Sequence, residues 1–296
     1  MWTLDLREEA AREARKLGPL PVLTEAERTA AIATWKGRMV NEHISSRVFA
    51  ALLQQLMAAG VAPRWQAKVA EAASDELRHG RQCAAMVHAL GGDACATIEH
   101  LAPVPAHDDA SPLEAALRNV LSISCLSETV AVALIGAERL RAEPDVTEGV
   151  LSHILADEVR HAALGWGLLE SLSAGLDDDV RAGLNAYLVV AFRHLFAHEL
   201  AHLPAGPTPS EAASDVGVCD GDEAVALFVE TVTDVIVPRL EALGFAAEAA
   251  LAASGGLEAA AARTALGAAT KRASCSRAPD ADDRSPRVAR AQAPTP

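Results

Sequence analysis

One five-residue phrase occurs twice in the chain. Asp75-Glu76-Leu77-Arg78-His79 reads D-E-L-R-H, and Asp157-Glu158-Val159-Arg160-His161 reads D-E-V-R-H. In each copy the Glu and the His are three residues apart. On an α-helix that spacing puts a carboxylate and an imidazole on one face, with Cβ atoms about 5–6 Å apart. Such a pair can hold a metal ion, and a pair from each of two helices can hold two ions between them. A bare E-x-x-H says little. With 23 Glu and 10 His in 296 residues, chance alone supplies about 0.8 of them. Three occur, the third being Glu199 with His202. The full D-E-x-R-H is expected only about 0.003 times at this composition, so its repetition is the feature that any fold must accommodate.

Composition agrees with a helical answer. Half of the residues are hydrophobic but only 3% are aromatic. Ala and Leu carry the apolar content, which favours helix over sheet. The net charge of −14 argues against a general nucleic-acid binder. The five cysteines (Cys83, Cys95, Cys125, Cys219, Cys275) form no C-x-x-C, which points to reduced thiols and a cytoplasmic setting. Residues 1–16 lack an apolar signal core. Uninterrupted apolar runs such as Val130–Ala137 are too short to span a bilayer, so no membrane is expected.

Breakers and caps divide the rest. A short amphipathic helix over 5–17 ends at Gly18-Pro19. Thr24 with Glu27 forms a capping box that opens a helix over 24–60. Pro63 opens a second, to Leu90, stopped by Gly91-Gly92. Ser111-Pro112 starts a third, to Arg141. A fourth covers 146–174 and a fifth 178–202, ended by Pro204. A sixth, kinked at Pro238, covers 222–243, and an Ala-rich seventh covers 246–270. No strand pattern stands out. The chain thus divides into an N-terminal segment (1–22), a four-helix unit (23–175), additional helices packing on it (176–270) and a tail (271–296). The tail carries six Lys and Arg against three Asp, has almost no large apolar residue, and is expected to be disordered.

Each D-E-x-R-H lies on the second helix of a helical hairpin. A dimetal bundle also needs one Glu from each first helix, and Glu42 and Glu128 are there. The four predicted helices are centred near 42, 76, 127 and 160, so Glu42, Glu76, Glu128 and Glu158 fall at one level of an antiparallel bundle. The offsets 42→128 and 76→158 make the two hairpins an imperfect internal repeat with a pseudo-two-fold site.

Glu42, Glu76-x-x-His79, Glu128 and Glu158-x-x-His161 resemble the ligand set of the ferritin-like di-iron carboxylate proteins. That group includes bacterioferritins, ribonucleotide reductase small subunits, acyl-carrier-protein desaturases, multicomponent monooxygenase hydroxylases and manganese catalases. The resemblance covers residues 24–174. The D-E-x-R-H form in both halves is most similar to the monooxygenase hydroxylases, although this chain is shorter. The resemblance implies an all-α, ferritin-like antiparallel four-helix bundle with additional C-terminal helices. It implies six metal ligands, Glu42, Glu76, His79, Glu128, Glu158 and His161, with Glu76 and Glu158 bridging. It also implies that Asp157 holds the ring N–H of His79 and Asp75 that of His161, with Arg78 and Arg160 paired to the two Asp. Four carboxylates against two divalent ions sum to zero, which makes burial tolerable.

The implied cofactor is two Fe ions, with Mn as the alternative, since carboxylate and imidazole donors suit redox-active iron or manganese. The implied activity is that of a non-haem oxidase or oxygenase acting with O2 on a small, mostly apolar organic substrate. Electrons would come from an external reductase or ferredoxin, because no flavin or nicotinamide fingerprint occurs. The superfamily also makes a homodimer an expectation. Ferroxidase or iron handling, and dimanganese peroxide chemistry, are the competing activities. Small residues one turn from the ligands (Ser45, Ser46, Ala72, Ala73, Gly80, Ser124, Cys125, Ala131, Ala162, Gly165) are readable either as room for a carbon substrate or as close helix packing. The sole Tyr, Tyr187, lies outside the four helices and disfavours a tyrosyl-radical role. Some N-oxygenases of the superfamily add a His four residues before the fourth-helix Glu; here that position is Ile154.

A different chemistry is spelled by His198-Glu199-Leu200-Ala201-His202. H-E-L-A-H matches the zincin hydrolase pattern, two His binding zinc and Glu acting as base, with Glu211 or Glu223 as a third ligand. It falls in the last turn before Pro204 with no accompanying sheet. A packing or surface role for these histidines, with His194 on the same stripe, is the blander reading.

Overall fold

The computed structural model describes residues 1–99, 101–142, 145–204 and 208–275, with side chains described to 266. In chain order its elements are β1 (Trp2–Asp5), α1 (Arg7–Ala14), α2 (Glu25–Ala58), α3 (Pro63–Ala89), β2 (Cys95–Ile98) and α4 (Pro112–Asn119). There follow a π-helical segment, π1 (Val120–Ser127), then α5 (Glu128–Arg139), α6 (Asp145–Ser173), α7 (Asp178–His202), α8 (Glu211–Asp215) and α9 (Gly221–Glu230). A second π-helical segment, π2 (Thr231–Ile236), leads to α10 (Val237–Ala242), α11 (Ala247–Ser254) and α12 (Gly256–Cys275).

The protein is predominantly helical, and local chemistry accounts for the helix ends. The Thr24 side chain accepts from Glu27 N while Glu27 Oε2 accepts from Thr24 N, so α2 begins with the expected capping box. Pro63 and Pro112 occupy first-turn positions where the missing N–H costs nothing. Gly91 at φ 84° closes α3 in a left-handed conformation.

Three features differ from the sequence expectation. First, β1 and β2 pair antiparallel, Trp2 opposite Ile98 and Asp5 opposite Cys95. Four-residue strands show too little alternation to be seen, and this pairing spans some 90 residues of sequence, so only the tertiary fold creates it. Second, the Ala-rich stretch divides at Gly255, which sits at φ 74° between α11 and α12. Helix α12 runs on to Cys275, five residues into the segment read as tail; the remainder of that segment lies outside the described residues. Third, α4, π1 and α5 form one continuous helix, Pro112–Arg139, that is long and apolar enough to cross a membrane by length and composition. The search for uninterrupted apolar runs missed it because isolated Ser, Thr and Glu residues break a run without lowering the average of a long window. This helix packs through Leu117, Val120, Leu121 and Leu126 into the protein's own core and also buries Glu128.

Helix α2 lies along α3, α5 along α6, and α3 touches α6; α4 contacts α2, and π1 contacts α6. The apolar interior falls into two clusters. Along α2, Trp35 and Met39 belong to one cluster and Phe49, Leu52 and Leu56 to the other. Along α3 the division separates Cys83, Met86 and Val87 from Val69 and Ala72. Along α6 it separates Leu151 and Ile154 from Leu164 and Leu168. Glu42, Glu76-His79 and Glu158-His161 occupy the gap on all three helices, so a polar layer divides the core at one level.

Close approach of π1 to α6 depends on Gly165. A Cβ there would stand 2.3 Å from Ser124 Cβ and 2.8 Å from the Ser124 backbone carbon. Backbone cannot yield as a flexible side chain can. Gly165→Ala is therefore expected to destabilise the protein by about 1–3 kcal/mol, read as a lower Tm in thermal unfolding. An unchanged Tm would show that this contact is looser than described.

Candidate metal centre

Helical spacing puts each Glu–His pair on an inward face, and the packing brings the pairs together. Two overlapping groups of possible ligand atoms result: Glu42, Glu76, His79 and Glu158, and Glu76, Glu128, Glu158 and His161. Glu76 and Glu158 belong to both groups. Glu42 closes one end and Glu128 the other, so the arrangement is pseudo-two-fold. The groups are buried: Glu76, Glu158 and His161 are each 2% exposed and His79 is 0% exposed.

Each histidine turns Nδ1 toward the carboxylates. His79 Nδ1 lies 3.3 Å from Glu42 Oε2 and 3.1 Å from Glu158 Oε1. His161 Nδ1 lies 3.0 Å from Glu76 Oε1 and 3.1 Å from Glu158 Oε2. The two rings are 5.9 Å apart, centroid to centroid. His79 Nδ1 and Glu76 Oε1 are nonetheless buried without a hydrogen bond of acceptable direction. A buried polar atom left unpaired costs about 1–3 kcal/mol. His161 Nδ1 does bond Glu158 Oε2, but the unpartnered His79 Nδ1 and Glu76 Oε1 among converging oxygen and nitrogen donors fit a metal ion bound between them.

The outward nitrogens are held by the two aspartates. His79 Nε2–H donates to Asp157 Oδ2 at 2.9 Å, and His161 Nε2–H donates to Asp75 Oδ2 at 3.3 Å. Each Asp comes from the helix opposite its histidine, so the two D-E-x-R-H phrases hold each other's ligands. Arg78 pairs with Asp75 at 2.7 Å and also bonds Asp157. Arg160 pairs with Asp157 at 2.5 Å and with Asp75 at 3.0 Å. The result is a cyclic two-Arg, two-Asp network behind both rings. A hydrogen-bonded carboxylate behind a histidine selects its tautomer and raises its basicity as a ligand.

Four carboxylates and two imidazoles in a dry layer cannot all keep their ordinary protonation. Burial, then the neighbouring Glu158 and Glu42 carboxylates, push Glu76 well above the usual carboxylate range. Burial, then Glu158, does the same to Glu128. Glu158 goes the other way: burial opposes its charge, but hydrogen bonds from Glu128, His161 and His79 hold it below the usual range. Burial would lower both histidines, yet facing carboxylates overcome it, raising His79 to about 11 and His161 to about 10. Protons on His79, His161, Glu76 and Glu128 thus do the neutralising that divalent ions can do instead.

Several supporting residues were not visible in the sequence. Glu128 follows π1 directly, and π-helical turns inside α-helices are frequent at functional sites. Ser127 Oγ donates to the Ser122 carbonyl at 3.1 Å, and Thr129 Oγ1 donates to the Cys125 carbonyl at 2.7 Å. The buried Trp166 indole N–H then donates to Thr129 Oγ1 at 2.9 Å, which pins the Glu128 helix to α6. Above Glu42, the Arg38 guanidinium from α2 is ion-paired with Glu138 from α5. The Trp166–Thr129 and Arg38–Glu138 contacts carry no spacing signal, since each joins residues far apart in sequence.

Other sequence candidates lie elsewhere. His43 turns to the Trp2 ring, 5.3 Å away, and His153 is exposed. Ile154 is a buried core residue. His198 and His202 stand on exposed α7, while Glu223 pairs with Arg141. Among the described residues no third His, Cys, Asp or Glu joins His198 and His202 at ligand distance. Several of the small residues are taken up by packing: Gly165 by π1, and Gly80 by Met39 O at 3.6 Å from where a Cβ would stand. An apolar cavity of about 130 Å³ lies between α5 and the α8–α9 turn, lined by Leu134, Ala137, Val218 and Leu227 among others, and by none of the six ligands.

Metal uptake must displace the protons held by the ligands, so affinity rises with pH. Calorimetric titration with Fe²⁺ or Mn²⁺, without oxygen and in two buffers of different ionisation enthalpy, is expected to show net proton release. A buffer-independent enthalpy would contradict the protonation pattern. Asp157→Asn removes the charge behind His79 and is expected to weaken binding by about 10–100-fold with helicity intact by circular dichroism. Neither a protein-family model nor a curated protein matches this chain, so the reading of the site rests on its own residues and geometry.

Proposed function

We propose that the chain is a ferritin-like dimetal carboxylate protein, in which α2, α3, the Pro112–Arg139 helix and α6 are the four helices of the bundle. We propose further that it is a non-haem di-iron oxidase or oxygenase. The observation that carries this reading is the pair of overlapping ligand groups sharing Glu76 and Glu158, with each Nδ1 inward and each Nε2 held by an aspartate. Six oxygen and nitrogen donors, without thiolate, suit iron or manganese. Zinc sites are commonly tetrahedral and built from Cys and His.

What iron supplies when bound there is one-electron and O2 chemistry. The chain's own part is to present four carboxylates and two imidazoles in fixed orientation, to exclude water from the layer, and to keep it electrically neutral. Glu42 is the least buried of the carboxylates, with 13% of its side chain exposed. The more solvent-accessible edge of the centre is therefore at Glu42, with His79 fully buried behind it. A small, mostly apolar substrate, O2 and an external reductase or ferredoxin complete the scheme, with a cytoplasmic homodimer as the setting and neither nucleic acid nor membrane as a partner.

One observation favours a second reading, ferroxidase or iron handling. Gly165, beside the ligands, is taken up by close helix contact, and the apolar cavity against α5 touches no ligand. An enzyme that oxidises only iron needs no organic pocket.

Elemental analysis of protein grown with iron and manganese separates these readings from the start. The di-iron reading expects about two irons per chain, lost in Glu76→Ala. It also expects reductant-driven O2 consumption that the variant lacks. Two manganese per chain would turn the function toward peroxide. Iron taken up in large excess over the ligand set would select storage. Absence of metal from correctly folded wild-type protein would overturn the dimetal reading.

A further inference from the structure

The H-E-L-A-H phrase on α7 belongs to no part of the buried centre, and its geometry has a use of its own. His194, His198 and His202 recur every four residues and stand exposed on one stripe. The exposed α7 residues between His198 and His202 are small, Ala201 beside them and Ala197 one turn back. The His198 and His202 ring centroids are 4.2 Å apart at an interplanar angle of 35°. His194 stacks on His198 one turn earlier, at 6.3 Å and 14°.

The orientation of His202 is fixed. Its Nδ1–H donates to the His198 carbonyl at 2.8 Å, which leaves the Nε2 lone pair pointing away from the helix. Bonding of the far ring nitrogen to a backbone carbonyl is the arrangement that orients histidine as a metal ligand. Tetrahedral zinc, with Zn–N of about 2.0–2.1 Å, needs its two nitrogens roughly 3.3 Å apart. With the ring centroids 4.2 Å apart, one turn apart on the same helix, the two imidazoles lie within reach of one ion.

We propose that His198 and His202 form a second, solvent-facing metal site for a borderline divalent cation (Zn²⁺, Cu²⁺ or Ni²⁺), held by two imidazoles with water completing the shell. Hard, oxygen-seeking ions such as Mg²⁺ and Ca²⁺ are not bound there. The site is independent of the buried centre: it lies on a different helix, uses nitrogen donors only and exchanges freely with solvent. No third protein ligand reaches it among the described residues, so it lacks the three-ligand set of a zinc hydrolase.

The test uses the full chain without an affinity tag on immobilised Ni²⁺, a probe that the buried centre cannot reach. Wild-type protein is expected to be retained and to elute with imidazole. H198Q/H202Q is expected to pass through, while H88Q/H153Q, which removes two other exposed histidines, elutes as wild type does. Equal elution of wild type and H198Q/H202Q, or loss of retention in H88Q/H153Q, overturns the proposal. A second measurement needs no variant. Wild-type protein with one equivalent of Cu²⁺ is expected to give an EPR spectrum with nitrogen couplings from two imidazoles, and a spectrum showing one imidazole or none overturns it.

Discussion

Burying four carboxylates and two imidazoles in one layer is the constraint to which the rest of the structure answers. A single uncompensated buried charge costs several kcal/mol even after relaxation, comparable to the whole stability of an ordinary domain. The layer is therefore tolerable only if its charge is cancelled within a few ångströms. Protons on His79, His161, Glu76 and Glu128 can do this, and so can two divalent ions. Asp75 and Asp157 add negative charge behind the rings, and Arg78 and Arg160 offset it from the surface side, their side chains 41% and 58% exposed. Leaving the guanidinium groups partly in water avoids the desolvation that burying them would require.

The same layer explains the shape of the core. Apolar side chains cannot fill the level at which the ligands converge, so the core divides there into two clusters, one on each side. Helices that must cross this gap need support from other contacts. On the α6 side it comes from direct approach of π1 to Gly165 and from the Trp166–Thr129 hydrogen bond. On the α2 side it comes from the Arg38–Glu138 pair. A helix as apolar as Pro112–Arg139 suits this position, since one face packs on the core while Glu128, its one charge near the middle, enters the polar layer.

On the proposed reading, metal choice and reaction would follow from separate features. The donor set limits the metal to ions that accept oxygen and nitrogen ligands in a large coordination shell. The space around the donors limits the reaction, and the close packing at Gly80 and Gly165 leaves little of it on those two faces. A substrate approaching the Glu42 end would meet the least buried carboxylate of the set.

Much of this was legible in linear sequence. The periodicity of D-E-x-R-H put Glu and His on one helical face because 3.6 residues per turn leaves no other outcome, caps at Thr24 and Ser111 set helix limits by local hydrogen bonding, and Pro63 set another by its fixed φ. Knowing those limits was enough to put Glu42, Glu76, Glu128 and Glu158 at one level. Other features were decided only by the tertiary structure. Pairing of β1 with β2 and the contacts Trp166–Thr129 and Arg38–Glu138 join distant residues, and the π-helical turn before Glu128 has no composition signal of its own. Whether Gly165 and its small neighbours leave a void or fill one likewise depends on how closely two helices approach, a distance absent from any one-dimensional pattern. The sequence by itself determined which residues could reach a common layer; the packing of one helix against another decided how those residues face each other, because orientation across an interface depends on both partners at once.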